Sequence, residues 1–137
     1  SPNGLIFSKD FKELYVAQSD FNGNQRRQLR SYQVDTNSNL KSHKVLHDFG
    51  PHRGIDGMAL DSDGNIVATC GWEVSGPGPM ICIFDKKGRI ILSERTPCMR
   101  PSNIAFGGKN LEDIYITSLE GHLYRVRNSG LKGNKLP

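Results

Sequence analysis

The stretch RGIDGMALDSDGNIVATCG, residues 53–71, decides the fold. Asp56 stands ahead of a short apolar run at 58–60. A polar cluster, Asp61-Ser62-Asp63-Gly64-Asn65, follows, and then a second apolar run at 66–70. Two short apolar runs separated by a Gly-containing polar cluster read as a β-hairpin. The pattern returns twice, in SPNGLIFSKDFKELYVAQS from Ser1 and in PSNIAFGGKNLEDIYITSL from Pro101. Aligning the three segments matches Asn3, Asp56 and Asn103, at spacings of 53 (56 − 3) and 47 (103 − 56) residues.

Each unit continues alike. A third strand is expected in RSYQVD from Arg30, MICIFD from Met80 and GHLYRV from Gly121. The first two units then turn through TNSN or KKG into a fourth, LKSHKVL from Leu40 and RIILSER from Arg89. The last unit ends in RNSGLKGNKLP, a weaker candidate for an outer strand. The alternation is that of strands, and no segment carries a helical period over three turns. Four short strands in each of several units of roughly 40–50 residues mark β-propeller blades. The expectation is an all-β chain, one partial propeller domain of about three four-stranded blades at 1–50, 51–97 and 98–137. Propellers close with roughly 4–8 blades. Three blades would need more of the same chain or a second copy, a homodimer giving a two-fold six-bladed ring.

The bulk properties narrow the function. The chain has 137 residues, a net charge of +4, 15 Gly and 7 Pro. Its basic residues (Arg26, Arg27, Arg30, Lys41, Lys44, Lys86, Lys87) are scattered rather than gathered beside aromatics, so they read as a solvated surface and not a nucleic-acid patch. No apolar run approaches the roughly 18 residues of a membrane span. Three cysteines, Cys70, Cys82 and Cys98, without a CxxC pair read as buried thiols in a reducing setting. With no visible signal peptide this leans towards the cytoplasm, although the start at Ser1-Pro2-Asn3, without Met, reads as a cut or processed end.

In a propeller the innermost strand of each blade lines the channel. Asn3, Asp56 and Asn103 open those strands and so converge near the channel mouth. Their carboxylate and carboxamide oxygens are hard ligands suited to Ca²⁺ or Mg²⁺. SPNGLIFS, IDGMALDSDGNIVAT and PSNIAFGGKNLEDIYITSLEGHLYRV together resemble the senescence-marker protein/gluconolactonase/luciferin-regenerating-enzyme family over nearly the whole chain. The resemblance implies the C-terminal half of a six-bladed propeller with one divalent ion in its channel. Calcium is the first expectation, and zinc, magnesium and manganese are alternatives. The family's PNG asparagine, a metal ligand, falls on Asn3. Its DGM aspartate, a metal ligand and general base, falls on Asp56. Two further family groups, a glutamate near the start of the first blade and an asparagine ahead of the PNG blade, have no counterpart here. The implied activity is opening of a small-molecule lactone. The competing readings are a non-catalytic binding propeller and an inactive fragment of a longer lactonase.

Other residues are candidates for the rim. His52 and Arg53 lead into the strand of Asp56, and Trp72 lies in the Gly/Pro-rich CGWEVSGPGP loop. Asp20 takes the matching place in the first unit, and Asn103 completes the substrate-contacting set. Glu120-Gly121 reads as a hairpin turn. His43, His47, His52 and His122 lack metal-ligand spacing.

Overall fold

The computed structural model describes residues 1–19 and 26–135, and within them no helix forms. Asp20 lies outside the described residues. Among the described residues, eleven strands build three antiparallel sheets, each a meander in chain order. The first holds β1 (Pro2–Phe7), β2 (Glu13–Gln18), β3 (Arg27–Val34) and β4 (Leu40–Gly50). The second holds β5 (Ile55–Leu60), β6 (Ile66–Trp72), β7 (Ser75–Phe84) and β8 (Ile90–Arg95). The third holds β9 (Pro101–Gly107), β10 (Asp113–Ser118) and β11 (Leu123–Val126). The leading strands β1, β5 and β9 lie side by side, β5 in the middle, as the inner strands of propeller blades do.

The middle sheet explains the stacking. Successive side chains of a strand point to opposite faces. Ile66, Ala68 and Cys70 on β6, with Cys82 and Phe84 on β7, pack against Tyr15, Ala17, Leu29 and Phe49 of the first blade. The intervening Val67, Ile81 and Ile83 pack against Ile104, Ile114 and Ile116 of the third. Ile66, Val67, Phe84 and Cys70 are fully buried. A sheet buried on both faces reads as a continuous apolar run, the character of IVATC and MICIF. All three cysteines are buried free thiols, and burial pushes the Cys70 thiol well up.

One turn recurs three times. Asp35, Asp61 and Asp85 each accept hydrogen bonds on Oδ1 from the backbone N–H groups two and four residues on, at 2.8–3.0 Å. The residue three on is left-handed in each: Ser38 (φ 63°), Gly64 (φ 83°) and Gly88 (φ 83°). Asp is suited to this because its carboxylate reaches backbone donors two residues on.

The third blade departs from expectation beyond β11. Residues 127–135 form no outer strand; they fold back along the second blade. Ser62 N–H donates to Lys132 O at 2.7 Å and Asn134 N–H to Leu60 O at 3.0 Å, around a bridge between Asp61 and Gly133. Gly133 N–H also donates to Leu111 O at 2.8 Å, so the segment ties the second blade to the β9–β10 turn. The β10–β11 turn forms at Glu120-Gly121, where Gly121 N–H donates to Ser118 O at 3.1 Å. Asp113 holds the last blade together. It accepts from Arg125 Nη2 at 2.6 Å and Asn128 N–H at 3.0 Å, and the Arg125 guanidinium holds its carboxyl below the usual range.

Two outcomes follow. Phe84→Ala should cost about 3–5 kcal/mol by leaving a cavity between blades one and two, whereas Leu92→Ala on exposed β8 should cost well under about 1 kcal/mol; urea midpoints measure both. Because the folded-state pKa of Asp113 is depressed, its contribution is complete above the unfolded carboxyl value and fades as pH falls through the folded value. Asp113→Asn should therefore lower the melting temperature at pH 7 and flatten its decline below about pH 4, as seen in thermal melts across pH.

Candidate functional site

Each inner strand is bulged at its first residues. Between the pairs Pro2↔Gln18 and Leu5↔Val16, two residues of β1 (Asn3, Gly4) face one of β2 (Ala17). Between Ile55↔Cys70 and Met58↔Ala68, Asp56 and Gly57 face Thr69. On β9, Ser102 and Asn103 face Thr117. A bulge leaves the extra residue out of the ladder and re-aims its side chain. In the second blade Thr69, fully buried, stitches the bulge closed: its hydroxyl accepts from Gly57 N–H at 3.0 Å and donates to Gly57 O at 3.2 Å.

The residue after each site position must be small where blades touch. A Cβ on Gly4 would lie 2.2 Å from Asp56 O, and one on Gly57 would lie 2.1 Å from Asn103 Oδ1 and 2.6 Å from its Cα. Glycine at 4 and 57 thus lets the three inner strands converge.

The convergence borders an open cavity of about 330 Å³ lined by the heads of β1, β5 and β9, among them Asn3, Asp56, Ser102 and Asn103. Asn3 Nδ2 donates to Asp56 Oδ1 at 2.8 Å across the blade boundary. Asp56 is 7% exposed. Its Oδ2 pairs with the guanidinium of Arg53, whose side chain is also largely buried. A larger groove of about 720 Å³ runs at the other end of the same strands, past Phe7, Leu60 and Phe106. Its lining holds no carboxylate, histidine or cysteine.

Behind Asp56 stands a charged, aromatic support. The guanidinium groups of Arg53 and Arg100 lie over the Trp72 indole at 5.2 and 5.5 Å. Arg100 pairs with Glu73 at 2.6 Å, which lowers the Glu73 pKa and raises that of Arg100. Glu120 accepts Met99 N–H at 2.7 Å, and that bond holds its carboxyl low. Ser75 Oγ meets His52 Nδ1 at 3.3 Å and accepts Arg53 N–H at 3.4 Å. Ser19 Oγ donates to Ile55 O at 2.5 Å, pinning the first blade to the strand of Asp56.

The expected residues therefore divide. Asn3 and Asp56 meet directly. Asn103 lines the same cavity, but pairing places it one residue from the expected register: Ser102, not Asn103, is equivalent to Asn3 and Asp56, and Asn103 is equivalent to Gly4 and Gly57. The bulges conceal this in a linear alignment. Asn103 Oδ1 is engaged by Ile104 N–H at 2.9 Å. His52, Arg53 and Trp72 stand behind Asp56 and outside the cavity lining. Asp20 lies outside the described residues. His43 packs on Tyr32, His47 on Phe49 and Phe84, and His122 on Tyr124, as ring neighbours. Sequence reasoning missed Ser102, Thr69 and the Arg100–Glu73 pair. Of these only Thr69 carried a local signal, a polar residue inside an otherwise apolar strand.

The donor set is oxygen. Half a turn of the Asn3 amide would present its oxygen beside Asp56 Oδ1, giving two of the roughly six to eight oxygens that Ca²⁺ takes. The pair fits a hard cation as part of its shell, and among the described residues no group of three or more His, Cys, Asp or Glu assembles one.

Residues 1–120 match the family described as the SMP-30/gluconolactonase/LRE-like region. A lactonohydrolase of Aspergillus oryzae is 30% identical over 149 residues, covering 92% of this chain and 29% of that protein. A luciferin-regenerating enzyme superposes with a TM-score of 0.80 at 26% identity, over 97% of this chain and 47% of its own. The calcium-binding protein regucalcin of Agrobacterium tumefaciens superposes with a TM-score of 0.68 at 26% identity, over 88% of this chain and 39% of its own. The chain thus spans less than half the length of each of these proteins.

Gly57→Ala should separate β5 from β9, because its methyl meets the Asn103 backbone, costing about 1–3 kcal/mol. Gly76→Ala, with nothing nearer than 3.9 Å, should stay within about 0.5 kcal/mol. Urea unfolding of the two variants measures the difference.

Proposed function

Because the chain belongs to the SMP-30/gluconolactonase/LRE-like family, we propose that it supplies the Asn3–Asp56 part of a centre that hydrolyses a sugar lactone or related cyclic ester. The observation that carries this reading is the contact of Asn3 with Asp56 across the blade boundary, at the wall of a polar cavity. A buried carboxylate there has a task that needs no serine nucleophile. A divalent cation held by Asn3 and Asp56, calcium first, would supply Lewis-acid polarisation of the lactone carbonyl.

The chain's own residues account for the proton. Asp56 accepts a proton from a water poised against the carbonyl carbon. The water oxygen bonds to that carbon, the ring C–O bond breaks, and the proton passes from Asp56 to the departing ring oxygen. The product is the open hydroxy acid, with nothing oxidised or reduced. Asn3 lies 2.8 Å from Oδ1 of Asp56, on the side the cation would share, and Arg53 fixes Oδ2. Thr69 and Gly57 hold the bulge that aims the carboxylate, so their contribution is one of orientation.

One observation favours a second reading, a binding propeller without catalysis. The Arg53 guanidinium already balances the charge of Asp56. Hydrolysis decides between the two. On the catalytic reading the purified protein accelerates opening of an aldonolactone, followed by acid release in weakly buffered indicator. Asp56→Asn should then lower the rate by about 10²–10⁴-fold while the circular dichroism of the sheets is unchanged. A rate that survives Asp56→Asn removes Asp56 as the base, and no acceleration by the parent protein with calcium added removes the lactonase reading.

A further inference from the structure

Arg53 is the positive charge built closest to the candidate base. Its Nη2 meets Asp56 Oδ2, and the two side chains are 12% and 9% exposed. The guanidinium rests on Trp72, which also carries Arg100, itself held by Glu73. Ser75 Oγ takes the Arg53 backbone N–H. The guanidinium is thus built into the wall behind Asp56, and arginine does not lose its charge in proteins.

We infer that Arg53 is a positioning residue that sets the cation affinity of the Asn3–Asp56 pair. This rests on the reading that the pair holds a divalent cation. Two effects run together. First, Arg53 occupies Oδ2, so Asp56 offers the cavity a single oxygen, Oδ1, the one shared with Asn3. Second, a cation at Oδ1 would lie within a few ångströms of a fixed positive charge whose side chain, like that of Asp56, is largely buried. Both effects weaken binding. The stack on Trp72 prevents the guanidinium from swinging aside at low cost. The site is therefore one of moderate affinity, in which the orientation of Asp56 is maintained whether or not a cation is present.

Calcium titration calorimetry on the purified chain tests this without any activity readout. Arg53→Gln removes the charge and frees Oδ2, and it should tighten Ca²⁺ binding on the order of tenfold or more. Arg53→Lys keeps the charge and should stay within about threefold of the parent, since the repulsion persists. Adding Asp56→Asn to Arg53→Gln should abolish the gain, which places the binding at Asp56. Should Arg53→Gln lose its β-sheet signature in circular dichroism, Arg53→Met, which keeps an apolar stem over Trp72, takes its place. Equal or weaker calcium binding in the charge-removed variant overturns the role of Arg53 and leaves the lactonase reading standing. Calcium binding by none of the variants overturns this inference together with the cation assigned to Asn3 and Asp56.

Discussion

Two-sided burial of the middle sheet is the constraint on which everything else depends. Strand β6 sends Ile66, Ala68 and Cys70 one way and Val67 and Thr69 the other, and both sets are fully excluded from water. Neighbouring sheets must therefore cover both faces. Covering them with the twisted sheets of the first and third blades sets β1 and β9 on either side of β5. The site is a consequence of that stacking, because no single blade contains it.

The stacking would bring three strand heads together without making a site from them. The bulges do that. At the head of each inner strand two residues oppose one, and the extra side chain turns out of the ladder. Glycine at 4 and 57 removes the Cβ atoms that would hold neighbouring strands apart. The same device thus brings Asn3 within a hydrogen bond of Asp56 and leaves a cavity beside them. Where the third blade has Asn103 in the glycine position, that side chain fills the space over Gly57 instead.

Charge is arranged in a line leading away from the cavity. Asp56, Arg53, Trp72, Arg100 and Glu73 contact in sequence, with two cations on one indole and an anion at each end. A buried carboxylate left alone would be costly, and the Arg53 guanidinium offsets part of that cost. The arrangement also explains why Trp72 recedes from the cavity: its ring is a platform for two guanidinium groups.

Much of this was written in the sequence. Period-2 apolar runs, Asx turns at Asp35, Asp61 and Asp85, and a repeat of about 50 residues suffice to specify meandering sheets, because each is a local preference of the backbone. The PNG and DGM triplets marked the positions of Asn3 and Asp56, since the glycine that follows each is a local trace of a bulge. The register of the third blade was not legible. There the bulge carries Ser102-Asn103 without a glycine, and alignment by residue type slid the match by one position. The path of residues 127–135 and the partners of Arg53 were equally hidden, because they depend on contacts between segments far apart in the chain: Asn134 with Leu60, Arg100 with Trp72. Local propensity decides which segments become strands and where they turn. Which side chains meet at the head of the channel is decided only when the blades stack, since that choice belongs to packing between sheets.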